Sequence, residues 1–119
     1  YVPLQLEVAN IYIQQHRFQN ALSIVTTIPV VKIEDGLVVR VLQTHALALQ
    51  QLGRMEDARE RLELAFNYDG SHEDTFYRLA ELHLAKNNLV GASLALREAL
   101  KQAPDHAASR QLLQQLQPN

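Results

Sequence analysis

The sequence predicts an all-α fold, and three features carry that prediction. Apolar residues recur every three or four positions along almost the whole chain, which is the spacing of one helix face. Leu and Ala far outnumber the β-branched residues Val and Ile after residue 41, which favours helix over strand. Short turns rich in Gly, Asn or His alternate with longer breaks that contain Gly or Pro. Each apolar stripe covers one face only, so each helix is expected to bury that face against a neighbour.

Seven apolar stripes predict seven helices in order. Three short turns are expected to join neighbouring helices into antiparallel hairpins, because Gly, Asn and His tolerate the left-handed backbone that ends a helix. Between hairpins, Ser71 and Asp105 are the residues predicted to cap the next helix. The stripes run over residues 4–12, 18–28, 42–52, 55–66, 76–83, 89–100 and 112–116, and the hairpin turns are His16-Arg17, Gly53-Arg54 and Asn87-Asn88.

The connection over residues 29–36 is longer and more apolar than the others. Pro29 lacks a backbone N–H and disfavours helical backbone at Ile28, so the second helix is expected to end early. The Val and Ile residues that follow are expected to pack onto neighbouring helices as an ordered insertion. A binding loop is the alternative interpretation of this segment.

Composition and charge narrow the classes of function. The chain has 119 residues, of which 47% are hydrophobic and 20% charged, as in one folded globular unit. A formal charge of −2 gives no electrostatic reason to expect nucleic acid as the partner, and no apolar run is long enough for membrane insertion. The absence of Cys excludes disulfides and zinc–thiolate sites. Because the chain begins at Tyr1 rather than at Met, we expect it to be a fragment of a longer protein.

A period of 34 residues relates the later helices to one another. Small residues at repeated positions let helices approach closely, while large apolar residues fill the grooves between them. A fixed period of this length indicates stacked structural units. The pairs that show it are Ala58 and Ala92, Leu62 and Leu96, Ala65 and Ala99, Leu42 and Phe76, and Ala46 and Ala80.

In these small and large residues the sequence resembles the tetratricopeptide repeat (TPR) family, whose unit is a 34-residue helix hairpin. The resemblance implies an α-solenoid with the form of a right-handed superhelix. The predicted units are residues 2–35, 39–72 and 73–106, and a polar-faced capping helix over 107–117 precedes Pro118. Together they are predicted to form a single repeat domain over residues 1–119.

The resemblance also implies a function, that of a scaffold for protein–protein interaction. Such a scaffold binds a peptide or a partner helix in a concave groove lined by the first helix of each hairpin. Solvated helix faces without a partner are the alternative for these residues. Leu6 and Leu112 are expected to face the groove as well. The residues expected to bind the partner are Asn10, Gln14, Arg40, Gln43, Thr44, Leu47, Tyr77, Arg78 and Glu81.

Repeats of the family that clamp the C-terminal carboxylate of heat-shock chaperones need three cations and two Asn side chains at set positions. Asn10 and Arg78 match two of these positions, whereas Leu6, Thr44 and Asp74 occupy the other three. Two of the three cations are therefore missing, and with them most of the charge-assisted pairing that a terminal carboxylate needs. We do not expect this chain to clamp such a tail.

Two further functions are the alternatives to a binding scaffold. The chain could serve as an oligomerisation module, through its outer helix faces or the 29–36 segment. It could also position a larger enzyme or an envelope or secretion assembly. Sedimentation at several concentrations separates self-association from binding of another protein.

Catalysis, metals and cofactors find little support in the residues. The five His residues form no metalloprotease pattern, and no Gly-rich phosphate loop is present. Carboxylates and Arg side chains between residues 54 and 63 have the spacing of ion pairs on a solvated helix face.

His45 occupies a position where the repeat favours Leu, and we expect His45 to be a buried, hydrogen-bonded core residue. A pair with His83 would supply too few ligands for a metal. No enzyme, metal or cofactor is predicted.

Overall fold

The structure is a computed structural model that describes residues 1–117, and these residues form seven α-helices and no strand. The all-α prediction is therefore confirmed for the described part of the chain, while Pro118 lies outside it. The chain divides into two compact units, Tyr1–Gly70 and Ser71–Asn119. The helices are α1 (Val2–Gln14), α2 (Phe18–Thr26), α3 (Asp35–Gln51), α4 (Met55–Ala65), α5 (Glu73–Ala85), α6 (Leu89–Gln102) and α7 (Ala107–Leu116).

Three turns end the first helix of each hairpin in the same way. His16, Gly53 and Asn87 have φ angles of 59°, 81° and 58°, in the left-handed region. In each turn the N–H of the next residue donates to a carbonyl five residues earlier, which satisfies a helix-end acceptor. This confirms the three predicted turns. The closing bonds run from Arg17 to Tyr12, from Arg54 to Leu49 and from Asn88 to His83, at 2.8, 2.9 and 2.8 Å.

In the first unit, α1 packs on α2 and α3, α2 packs on α3, and α3 packs on α4. Fully buried Ala residues line the contacting faces and allow this close approach. Beside them lie two clusters of larger side chains. One is built around Leu6, Ile28 and Val41, and the other around Val38, Leu42 and Ala65.

The segment between α2 and α3 is ordered against both clusters. Helix α2 ends at Thr26, so it does end early, as Pro29 predicts. Val30 packs against both clusters and Ile33 against the second, which confirms the expected packing insertion, whereas Val31 is 68% exposed. Helix α3 begins at Asp35, so its first two residues, Asp35 and Gly36, lie inside the segment that the sequence assigns to the connection.

In the second unit, α6 packs on both α5 and α7. The buried face of α6 consists of Ala92, Ala95, Leu96 and Ala99. Partly buried Leu residues of α5 and α7 pack against that face. Asn88 caps α6, since its Oδ1 accepts a hydrogen bond from the N–H of Gly91 at 2.9 Å.

The predicted caps of α5 and α7 are wrong by one residue. Ser71 and Asp105 do not occupy the N-cap positions, which belong to His72 and His106. Neither His side chain bonds a backbone N–H of its helix, and each instead contacts a hydroxyl three residues later. The division into repeat units 2–35, 39–72 and 73–106, with a cap over 107–117, stays a prediction.

Candidate functional site

The first unit carries six of the predicted partner-binding residues on two helices. Asn10 and Gln14 lie four residues apart on one face of α1, and both are exposed. The other four recur on α3 at intervals of three and four residues, so they share one helix face. Arg40 is exposed and the others are half-buried. These α3 residues are Arg40, Gln43, Thr44 and Leu47.

Two apolar residues expected to face the groove pack against the hydrophobic cores. Leu6 is only 1% exposed and packs with Ile28 and Val41 in the first unit. Leu112 is partly buried against the core cluster of the second unit. Leu6 is therefore not available as an apolar anchor for a partner and that expectation is wrong, whereas Leu112 stays a prediction.

In the second unit, three half-buried side chains of α5 form a connected surface. The Nη1 of Arg78 donates to Oε1 of Glu81 at 2.8 Å, and the Arg78 guanidinium lies 5.4 Å from the centre of the Tyr77 ring. Burial raises the pKa of Tyr77, and the negative charge of Glu81 raises it further. The phenol therefore stays protonated at neutral pH and can donate a hydrogen bond.

Helix α7 holds the N-terminal end of this α5 surface. The Nε2 of His106 donates to Oδ1 of Asp74 at 2.8 Å, because a carboxylate can only accept. The His106 ring also stands edge-on to Tyr77, with 5.9 Å between ring centres. Asp74, Tyr77 and Arg78 are thus fixed by contacts within the second unit before any partner binds.

The cluster contains a Ser, a His and an Asp, but not in an arrangement that could attack a substrate. His106 Nδ1 lies 2.7 Å from the Ser109 hydroxyl, and Ser109 is fully buried. Its oxygen therefore does not reach a bound molecule. The same pair recurs 34 residues earlier, where Nδ1 of His72 lies 3.3 Å from Oγ1 of the buried Thr75. The repeated His-x-x-Ser/Thr spacing is the sequence signal that could have revealed these contacts.

His45 borders a cleft of about 250 Å³ in the first unit. The residue is half-buried rather than fully buried, so the expectation of a core His is only partly met. Burial lowers the pKa of His45, and the charges of Arg61 and Arg54 lower it further. The imidazole is therefore neutral at pH 7. The cleft is lined by Leu22, Thr26, His45, Leu49, Arg54, Asp57, Glu60 and Arg61.

The charges of α4 form the ion pairs that their spacing predicts. Arg59 forms ion pairs with both Glu56 and Glu63. The Nη2 of Arg54 lies 2.8 Å from Oδ2 of Asp57. All five side chains are well exposed, so these pairs contribute little to stability.

Within residues 1–117, no three His, Asp or Glu side chains are grouped closely enough to hold a metal ion. Over the same residues, no helix has the length and apolar character needed to cross a membrane.

Comparisons with known proteins agree with this architecture. A family model described as tetratricopeptide repeat matches residues 46–116. The NMR structure of the first TPR domain of human RPAP3 is similar, with a TM-score of 0.83 and 17% identity over 97% of this chain and 88% of that one. The first TPR of Spaghetti (RPAP3), bound to the HSP90 peptide SRMEEVD, has a TM-score of 0.77 and 18% identity over 97% and 89% of the two chains.

A search of curated protein sequences gives no match. At these identities the two structures show a shared fold, whereas the family model covers more than half of the chain. The fold is therefore that of an α-solenoid. TPR domains are in general modules for protein–protein interaction rather than enzymes, with proteins or peptides as partners. This chain belongs to the tetratricopeptide repeat family.

Proposed function

We propose that the chain binds an extended peptide or a partner helix through the exposed faces of its first helices, α1 and α3 in one unit and α5 in the other. The observation that carries the proposal is the α5 surface of Tyr77, Arg78 and Glu81, which is fixed by neighbouring side chains and yet partly open to solvent. Side chains held in place before binding lose less conformational entropy when a partner arrives.

The residue types on these faces suit a polypeptide partner. Amide side chains such as Asn10, Gln14 and Gln43 can donate to and accept from the backbone of a peptide. The protonated phenol of Tyr77 combines an apolar ring with one hydrogen-bond donor, a combination common at interaction surfaces. Leu47 adds a half-buried apolar contact on α3.

A free terminal carboxylate is not the feature that these faces recognise. One structural neighbour is bound to the HSP90 peptide SRMEEVD. In this chain Asp74 stands where the chaperone-tail clamp has a cation, and its side chain is 62% exposed and negative. Arg78, the cation that remains, is already paired with Glu81. We therefore propose an internal segment of the partner, without a terminal carboxylate, as the bound element.

The proposal is tested by selecting short peptides from a random display library with the 119-residue chain and measuring their affinity by fluorescence anisotropy. Tyr77→Ala, Arg78→Ala and Asn10→Ala should each weaken binding of a selected peptide. Glu60→Ala, on the exposed side of α4, is the control that should leave the affinity unchanged. Unchanged affinity in all three test variants would refute this assignment of the binding faces.

The peptide SRMEEVD serves as a second probe. We expect it to bind at least about tenfold more weakly than a selected internal peptide, because the clamp lacks two cations. Equal binding, abolished by Arg78→Ala, would instead show recognition of a terminal carboxylate. The alternative function, an oligomerisation module, predicts a sedimentation coefficient that rises with protein concentration. We propose no catalytic activity for the chain.

A further inference from the structure

Helix α6 carries an exposed stripe on the side opposite its buried face. At 100° per residue, Val90, Leu94, Arg97 and Lys101 fall within one narrow sector of the helix. Val90 is 73% exposed and Leu94 is 57% exposed. We call these four residues the α6 stripe. Its first half is apolar and its second half is basic.

The fold does not require apolar residues at these positions. The residues that lie 34 positions earlier are Glu56, Glu60 and Glu63 on α4 and Asn67 just after its end, and all of them are exposed. The first two predicted repeat units start 37 residues apart, at residues 2 and 39. The α2 residues equivalent to the three Glu residues are therefore Gln19, Ser23 and Thr26, which are exposed as well. Three second helices thus present the same sector to solvent, and two of them fill it with polar side chains. Val90 and Leu94 therefore need a reason other than packing.

The exposure of the α6 stripe is not caused by a missing neighbour inside the unit. Helix α6 contacts α5 and α7, and these contacts use Ala92, Ala95, Leu96 and Ala99 on the opposite side. Leu89, at the start of the helix, is 57% exposed as well, but it lies about 100° around the helix from Val90 and is not part of the stripe.

The basic half gives the charge that a partner must complement. The Nζ of Lys101 lies 3.0 Å from Oε1 of Glu98, so the positive charge of Lys101 is partly offset. Arg97 is exposed, and no ion pair of Arg97 is found within residues 1–117. An acidic side chain placed one or two turns from an apolar anchor would meet the two cations while the anchor covers Val90 and Leu94.

We propose that the α6 stripe is a second docking site, which binds an acidic amphipathic helix of a partner protein. Two apolar side chains and two cations match one face of a short helix. A second copy of this chain that presented the same stripe would meet Arg97 and Lys101 with apolar side chains or like charges rather than with carboxylates, so it is not the occupant. Anionic membranes attract clusters of roughly four to eight basic residues, which the stripe does not supply.

The test uses a designed helical peptide that carries two Leu residues at positions i and i+4. Glu residues lie on the same face of the peptide, both before and after the Leu pair, so that the peptide can bind in either orientation. Its binding to the ¹⁵N-labelled chain is followed by NMR. We expect the amide shifts to concentrate in residues 89–101. The matched peptide with Lys in place of Glu should bind about tenfold more weakly or worse.

The test variant is Val90→Glu combined with Leu94→Glu, which places on α6 the residues that α4 carries at the equivalent positions. It should keep the melting temperature and lose about tenfold or more in affinity for the acidic peptide. Glu60→Gln on α4 is the control that should bind normally. Arg97→Glu should weaken binding of the Glu peptide and strengthen binding of the Lys peptide.

Several results would overturn the proposal. Full affinity in the double variant would show that the stripe is not the site. A large drop in its melting temperature would show that Val90 and Leu94 serve the fold. Equal binding of the Glu and Lys peptides would remove the charge argument. Binding to vesicles of phosphatidylcholine and phosphatidylserine without binding of the peptide would assign the stripe to membranes, and loss of a wild-type dimer in the double variant would assign it to self-association.

Discussion

His106 at the start of α7 and Asp74 in the first turn of α5 are joined by a hydrogen bond of 2.8 Å. Because Nε2 donates to the carboxylate, Nδ1 of a neutral ring must accept from the buried hydroxyl of Ser109. A single imidazole thus satisfies a buried group of α7 and orients a carboxylate of α5.

Replacing His106 with Ala should lower the free energy of unfolding by about 1–3 kcal/mol, because the fully buried Ser109 hydroxyl would lose its partner. Asp74→Ala should cost less than about 1 kcal/mol, since its side chain is 62% exposed. Urea denaturation of both variants measures the difference. In the double variant His106→Ala/Ser109→Ala part of the loss should be recovered, and equal costs for the two single variants would contradict this account.

The stability of the chain should fall as the pH drops below about 6.5, and His45 is a cause. Burial lowers the pKa of this imidazole in the folded state from its ordinary value of 6.5. As the pH falls through that value, the unfolded chain takes up a proton before the folded chain does, so unfolding is favoured. Above pH 7 both states are neutral at this residue and the effect vanishes.

Chemical denaturation between pH 5 and pH 8 measures this dependence, and His45→Leu should make the slope shallower. An unchanged slope in that variant would show that other groups dominate. The same variant tests whether His45 has only a structural role. Loss of partner binding with an intact fold would show that it has another.

The turn at Gly53 should be sensitive to the addition of a single methyl group. Its φ of 81° lies in the left-handed region, so Gly53→Ala should cost about 1–2 kcal/mol. Gly36→Ala is the matched control, because Gly36 lies in the first turn of α3 with no atom within 4 Å of an added Cβ. We expect that change to stabilise the chain by about 0.5–1 kcal/mol. Thermal melts of the two variants should move in opposite directions.

The small residues of the repeat should not tolerate larger ones. Ala92 is fully buried between helices of the second unit, so Ala92→Leu should cost about 1–3 kcal/mol through overpacking. Ala58→Leu should behave alike in the first unit. Ala108→Leu, on the exposed side of α7, should change stability by less than about 0.5 kcal/mol. An unaltered melting temperature in Ala92→Leu would mean that the repeat register is wrong.

Helix positions and hairpin turns could be predicted from the sequence because both depend on local features. The spacing of apolar residues and the left-handed preference of Gly53 or Asn87 act within a few residues. The early start of α3 at Asp35 could not be predicted in this way. It accompanies the packing of Val30 and Ile33 onto a cluster that contains Ala65 of α4, a residue distant from them in the sequence.

The predicted binding faces show the same distinction. The position of a residue in the repeat predicts exposed helix sites for Asn10 and Arg40, and both residues are exposed. The same argument predicts an exposed site for Leu6, which is buried because it packs in a cluster with Ile28, Val41 and Val30. The insertion between α2 and α3 supplies Val30, and a repeat pattern contains no information about an insertion.

The three hairpin turns also have a consequence for the folding pathway. Each turn is closed by hydrogen bonds between residues no more than five positions apart, and the two helices that it joins pack on each other. Contacts of such short sequence separation form without the entropic cost of closing a long loop. We therefore expect the hairpins to form early and independently, and the chain to fold rapidly for its length.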